Sequence, residues 1–248
     1  TNYRHTIIAP MDSSKAEIPK EAGPSTPKRQ RRLKKLAFWL FIDLAVTLLV
    51  IALLLHRPGG YNPSARGPYD PDEVHPYWLK LSSQFYNGVQ RGNPFEIVVR
   101  QEPLNEAVAQ ADWPKEAEGV MLYAPAVVFE PNNVVLMGTA DIEGVKLIVT
   151  VEIAPYIDET GLFHLDVATV KVGAVNVTPL AKMMAKKTYH ERVGPEGIET
   201  DNLLNTVIIS LLTGQSFDPV VLAEDRRARL TTCTVGQQTL TLHFFPLP

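Results

Sequence analysis

The side chains best suited to metal ligation, acid–base work or nucleophilic attack are six histidines and one cysteine. His5, His56, His75, His164, His190 and His243 are scattered, and of those in strand-like sequence only His164 has a carboxylate, Asp166, two positions away. In an extended strand, positions i and i+2 share a face, so the two could hydrogen-bond or join a metal site. Neither has a further ligand nearby in sequence, and a solvent-facing polar stripe is the expected arrangement. Cys233 has no partner for an internal disulfide. It falls in the apolar alternation around Leu230 to Val235 and is read as a small buried hydrophobe rather than a reactive thiol. Asp141, Glu143, Asp158 and Glu159 lie in turn sequences and are expected to be solvated. Asn176-Val177-Thr178 fits the glycosylation sequon, a short match that nothing else in the chain supports. The sequence contains no G-x-S-x-G, H-E-x-x-H, G-x-x-x-x-G-K-[ST] or C-x-x-C motif. No catalytic residue, metal site or cofactor is therefore assigned, and the chain is expected not to be an enzyme.

The carboxylate with the most unusual setting is Asp43. It is the sole formal charge in residues 36–55, LAFWLFIDLAVTLLVIALLL. About 20 helical residues at roughly 1.5 Å each cross a hydrocarbon core about 30 Å thick, so the stretch is expected to be a transmembrane helix. A secretory signal would have a shorter apolar region and a small-residue cleavage site, whereas this one runs into His56-Arg57-Pro58-Gly59-Gly60. Asp43 lies about 10 Å along the axis from Leu36, beyond the reach of a short side chain toward the surface. It should be neutral and bonded to Thr47 or the backbone, or paired with another subunit; Asp43 and Thr47 are the candidate docking residues within the membrane. Lys28, Arg29, Arg31, Arg32, Lys34 and Lys35 crowd the N-terminal flank, while Arg57 and Arg66 are the only arginines or lysines just after the helix. By the positive-inside rule residues 1–35 are then cytoplasmic and the C-terminal mass is outside, with the basic cluster against anionic headgroups.

Charge elsewhere excludes little but is useful. A net charge of -3 over 248 residues argues against nucleic-acid binding. Residues 1–27, rich in proline and without an apolar period, should be disordered alone; such a segment orders only when a partner holds it, which makes it the second candidate docking element for other membrane subunits. Residues 56–76 read as a proline- and glycine-rich linker whose tyrosines could rest on headgroups, on a neighbour or in solvent. Residues 77–248 are long enough for one sizeable core.

Within that domain, Trp78, Leu81, Phe85 and Val89 set a first amphipathic helix over 77–90. A strand is expected at 95–100 and a short helix to 111. From 120 to 177 the pattern is almost wholly β, with Pro125 marking an edge or bulge and Gly173 a kink. Val145, Leu147, Val149, Val151 and Ile153 share one strand face, and consecutive strands with short turns imply an antiparallel meander. A helix starts at Pro179, a loop follows over 188–197, and 200–213 carries a wide apolar face that must lie in the concavity of the sheet. A hairpin at 229–244 closes the chain.

The features FEIVVRQEPLNEAVAQ, VVLMGTADIEGVKLIVTVEIAPYIDETGLFHLDV and VATVKVGAVNVTPLAKMM follow one another between Phe95 and Lys187. In that order they resemble the small membrane-anchored bacterial members of the tubular lipid-binding superfamily. The resemblance implies an α+β fold in which a strongly curved antiparallel sheet wraps a long helix and leaves an apolar groove for acyl chains. Val145, Leu147, Val149, Val151, Phe163, Leu165 and Leu204 would line that groove, although the apolar helix face with Met183 and Met184 could equally fill it. The expectation is a single-pass protein of a bacterial inner membrane whose external domain binds or passes lipid without catalysis. The alternative is an accessory subunit that scaffolds a larger membrane complex.

Overall fold

The computed structural model describes residues 28–65, 73–111, 113–117, 119–193, 203–223 and 225–248. The chain falls into two compact units, Thr1–Thr47 and Leu48–Pro248. The described part of the first is helical. Helix α1 (Lys28–Leu54) begins within the basic cluster rather than after it. Its stretch Lys34–Leu54 has a mean hydropathy of 2.6, none of it is buried, and it is long and apolar enough to cross a membrane.

The second unit is α+β with curved antiparallel sheets. Helix α2 (Pro76–Arg91) has proline in its first turn, and the His75 ring accepts the Tyr77 amide at 3.2 Å. It ends at Gly92, whose φ of 69° is the left-handed conformation that closes helices. Strand β1 (Phe95–Arg100) and helix α3 (Gln101–Gln110) follow. Then come β2 (Lys115–Ala117), β3 (Val120–Glu130), β4 (Asn133–Ile142), β5 (Val145–Ile157), β6 (Phe163–Val172) and β7 (Val175–Asn176), paired in that order as a six-stranded meander. Helices α4 (Thr178–Val193) and α5 (Leu203–Thr213) precede β8 (Val220–Ala223), β9 (Arg226–Val235) and β10 (Thr239–Leu247).

The last three strands form a second sheet with β1, in the order β1-β10-β9-β8. This corrects the expectation of one sheet around one long helix: there are two sheets, and α4 and α5 divide the covering role. The loop expected from 188 is helical as far as Val193. Alternating apolarity marks a strand but does not name its partner, and β1 pairs with β10 from the far end of the chain, Phe95 opposite Phe244. Phe85, Phe95 and Phe244 then pack with ring centroids 5.2–5.8 Å apart, at the heart of a core with Val89, Ile97, Leu230 and Val235.

Pro125 does sit at a bulge. Pairing between β3 and β4 slips between Tyr123 and Ala126, and Ala124 takes a φ of 50°. Past the bulge, the side of β3 away from β4 is satisfied by side chains of α3. Asn105 Nδ2 donates to the Val127 carbonyl at 2.7 Å, the Val127 amide donates to Asn105 Oδ1 at 2.6 Å, and the Phe129 amide donates to Gln101 Oε1 at 2.8 Å. Asn105 is itself buried, so an amide side chain does there what a neighbouring strand would do.

The segment after α1 is not a free spacer. Tyr61 is only 6% exposed, and its hydroxyl lies 2.6 Å from the Ala124 carbonyl, to which it donates, and 2.7 Å from Thr139 Oγ1. The bulge frees that carbonyl, and Tyr61, Ala126, Val135 and Met137 form a second small core on the outer face of the meander. Arg57 stands over the Tyr61 ring at 5.5 Å. At the β6–β7 turn, the Gly173 amide donates to Ile148 O and the Ala174 amide to Leu53 O, both at 2.8 Å, so the turn adds a short bond to a carbonyl that otherwise accepts only the His56 amide at 3.3 Å. Gly173 has a φ of 58°, and a Cβ there would collide with the carbonyl oxygens of Leu53 and Leu54. Gly173→Val should therefore cost at least about 2 kcal/mol and open Tyr61 to chymotrypsin, read by limited proteolysis. Tyr61→Phe, which keeps the ring but strands the Ala124 carbonyl and the Thr139 hydroxyl that donates to Tyr61, should cost about 1–2 kcal/mol in thermal unfolding.

Candidate functional site

The inner faces of the two sheets look at each other across an apolar chamber. From β4, β5 and β6 come Val134, Leu136, Ile153, Pro155, Phe163 and Leu165; from β9 and β10 come Leu230, Cys233, Leu240, Leu242 and Phe244. Register explains the convergence: Leu136 faces Val151, Pro155 faces Leu165, and Leu242 faces Cys233, so each row keeps one side of its sheet. Helix α5 contributes Leu203, Val207 and Leu211, spaced i, i+4, i+8 along one face. Phe217, held to Phe163 by a pair of backbone hydrogen bonds and a ring contact at 5.6 Å, closes the wall with Pro219 and Val221.

The chamber measures about 370 Å³. A second hollow of about 340 Å³ lies beneath α4 and α5, walled by Val151, Val167, Val170, Ala181, Lys182, Ala185 and Leu212. Both have Leu136, Ile153 and Leu211 in their walls, so they adjoin. Volumes of roughly 300–1,000 Å³ are those of small-molecule sites. The first chamber is lined by no hydrogen-bonding side chain other than the weakly polar Cys233 thiol. Water needs two to four polar partners to settle in such a space and finds none among these side chains; a hydrocarbon chain needs none.

The sequence-predicted groove residues divide along the sheet. Phe163 and Leu165 line the first chamber and Val151 the second. Val149 and Leu147 are half-buried on the same face but reach neither hollow, and Val145 is 51% exposed at the start of its strand. The side chain of Leu204 lies outside the described residues. What the sequence left unassigned is the opposite wall. Residues 230–244 show clear alternation, yet nothing local says that their apolar face meets that of the meander. Cys233 is half-buried in that wall, and burial pushes its thiol up to about 11. About one thiol in a thousand is then ionised at pH 8. N-ethylmaleimide should label it slowly at pH 8 and steeply faster toward pH 10, followed by intact mass.

The remaining candidates are not brought together. His164 does not pair with Asp166; its Nε2 lies 2.7 Å from Asp158, and its ring stacks on Tyr156 at 4.6 Å. Asp158 is a turn residue but not a free one. Its Oδ1 accepts from the Thr160 hydroxyl and amide and the Leu162 amide, and the Thr160 and His164 bonds hold its carboxyl far below the usual range. Any stability it lends is thus present above the ordinary aspartate range and lost only as pH falls well below it. Among the described residues, no three His, Cys, Asp or Glu side chains could hold a metal ion. Asn176 and Thr178 of the sequon are engaged with each other, Asn176 Oδ1 accepting both the Thr178 amide and hydroxyl where α4 starts. On α1, Asp43 and Thr47 are exposed one turn apart, and the consecutive Lys34 and Lys35 are exposed as well. The side chains of Lys28, Arg29, Arg31 and Arg32, and all of residues 1–27, lie outside the described residues.

No protein-family model, curated protein or solved structure matches the chain.

Proposed function

We propose that the chain is a membrane-anchored, non-catalytic lipid-binding protein whose domain takes up an acyl chain between its two sheets. The single observation that carries this reading is the apolar chamber of about 370 Å³ and its neighbour of about 340 Å³. The walls are hydrocarbon and partly open to solvent, and leaving apolar surface against water costs about 25 cal/mol per Å². An apolar chain in place removes that cost. The order of strands and helices between Phe95 and Lys187, with its resemblance to the tubular lipid-binding superfamily, supports the same ligand class, although the sheets here are two. The apolar helix supplies the anchor, and its basic flank supports a cytoplasmic N-terminus with the domain on the external side of a bacterial inner membrane. Organic extraction of the purified full chain, followed by mass spectrometry, should recover lipid in near-stoichiometric amount. Recovery of none, from protein that remains folded, would overturn the proposal.

A second reading has its own observation. Asp43 is exposed on a helix whose apolar stretch has no buried residue, and a carboxylate in lipid calls for a partner. In this reading the chain docks as an accessory subunit through Asp43 and Thr47, together with residues 1–27. Asp43→Leu should then shift the protein from a large to a small species on gentle solubilisation and native electrophoresis; a wild-type protein that already migrates alone would sink it.

A further inference from the structure

Across both hollows, twenty-three of the walls' side chains are hydrocarbon or thiol, and one is charged: Lys182 of α4. It sits beside Ala181 and Ala185, which also face the second hollow and leave room around it. Lys182 lines that hollow and yet is exposed. The two facts fit together if its methylene stem lies along the wall and its ammonium reaches the rim, the usual posture of lysine over apolar surface. No carboxylate among the described residues shares the lining. The nearest acidic side chains of the facing strands, Glu152 and Asp166, project from the other side of the meander, and Glu152 is bound to Lys171 at 2.7 Å. On the far side of α4, Leu180, Met183 and Met184 are exposed.

A dry chamber with one cation at its mouth selects for a ligand with the complementary layout. We infer that the ligand is an anionic amphiphile, its chain in the hollows and its acid group paired with Lys182. This rests on the lipid-binding reading above and narrows its substrate class. The acid can be the carboxylate of a free fatty acid or the phosphate of an anionic phospholipid; both accept charge-assisted hydrogen bonds from an ammonium. An uncharged lipid of the same chain would gain nothing from Lys182 and would bind more weakly.

The test uses the full chain in phosphatidylcholine nanodiscs with three photoreactive probes that carry the same diazirine-tipped sixteen-carbon chain: palmitic acid, phosphatidic acid and hexadecanol. Labelled peptides are mapped by mass spectrometry, and labelling of the β10 wall is normalised to labelling of the apolar helix in the same sample. That ratio cancels differences in bilayer partitioning. One or both acids should label the β10 wall up to roughly fivefold more than the alcohol, the worth of one partly exposed ion pair, and the stronger acid names the source. Lys182→Gln, an exposed change that keeps helix propensity, should bring the acids down to the alcohol. If the alcohol labels the wall as well as either acid does, or if Lys182→Gln leaves the ratio unchanged, the anionic assignment is overturned while chamber binding stands. If no probe labels the wall above the helix background, the lipid-binding reading falls with it.

Discussion

Asn105→Ala should destabilise the domain by about 3 kcal/mol, the largest effect expected from any single polar side chain in it. Asn105 closes two short hydrogen bonds to one residue, Val127, from a buried position. Removing it leaves the amide and carbonyl of the half-buried Val127 without partners, and each such group costs up to about 1–3 kcal/mol where water cannot reach it. For a unit of this size about 3 kcal/mol lowers the midpoint of thermal unfolding by roughly 6–12 °C. Asn105→Asp keeps the acceptor for the Val127 amide but removes the donor, so it should fall between wild type and alanine. If alanine and wild type melt together, α3 does not complete the edge of β3. The consequence extends past stability. Val127 and Phe129 are consecutive residues of one face of β3, which packs on the core beside the chamber, so a frayed edge would loosen one wall of the proposed site.

The second large effect concerns occupancy. Leu211 is in the walls of both hollows. Leu211→Trp adds an aromatic ring at the place where they adjoin, and it should reduce lipid recovered from the purified full chain at least tenfold. The added bulk goes into open space rather than a filled core, so the cost in stability should stay below the roughly 1–3 kcal/mol of ordinary overpacking. A change of equal size on the outer face, Leu222→Trp on an exposed position of β8, should leave lipid recovery unchanged. Loss of lipid in both variants would mean that recovery reports the membrane and not the chamber.

Much of the second unit could be read from the chain because its signals are local. The helix over 77–90, the strand at 95–100, the bulge at Pro125 and the paired strands from 133 to 172 each rest on period, proline or turn chemistry within a dozen residues. The stop of α5 at Gly214 is of the same kind, the Gly214 amide donating to Ser210 O at 2.8 Å. Two features were not legible. The pairing of β1 with β10 joins residues about 150 positions apart, and no local pattern encodes it; half of the chamber wall depended on it. The burial of Tyr61 was hidden by its setting, since a tyrosine among prolines and glycines looks like linker until the bulge at Ala124 offers it a carbonyl. Of the expected groove residues, Val151, Phe163 and Leu165 stand in the walls of a hollow, and Val145, Leu147 and Val149 do not. Alternation along β5 gave the correct face but could not say how far along it the covering helices reach, and Val145 lies beyond them.

The central claim is that the space between the sheets holds an acyl chain. Its most direct test is native mass spectrometry of the full chain released from nanodiscs, with the bound species identified by fragmentation. The wild-type protein should retain one lipid after the surrounding bilayer is stripped, and a Leu211→Trp protein should emerge bare. A wild-type protein that emerges bare under conditions that preserve its fold, or a Leu211→Trp protein that keeps its lipid, would contradict it.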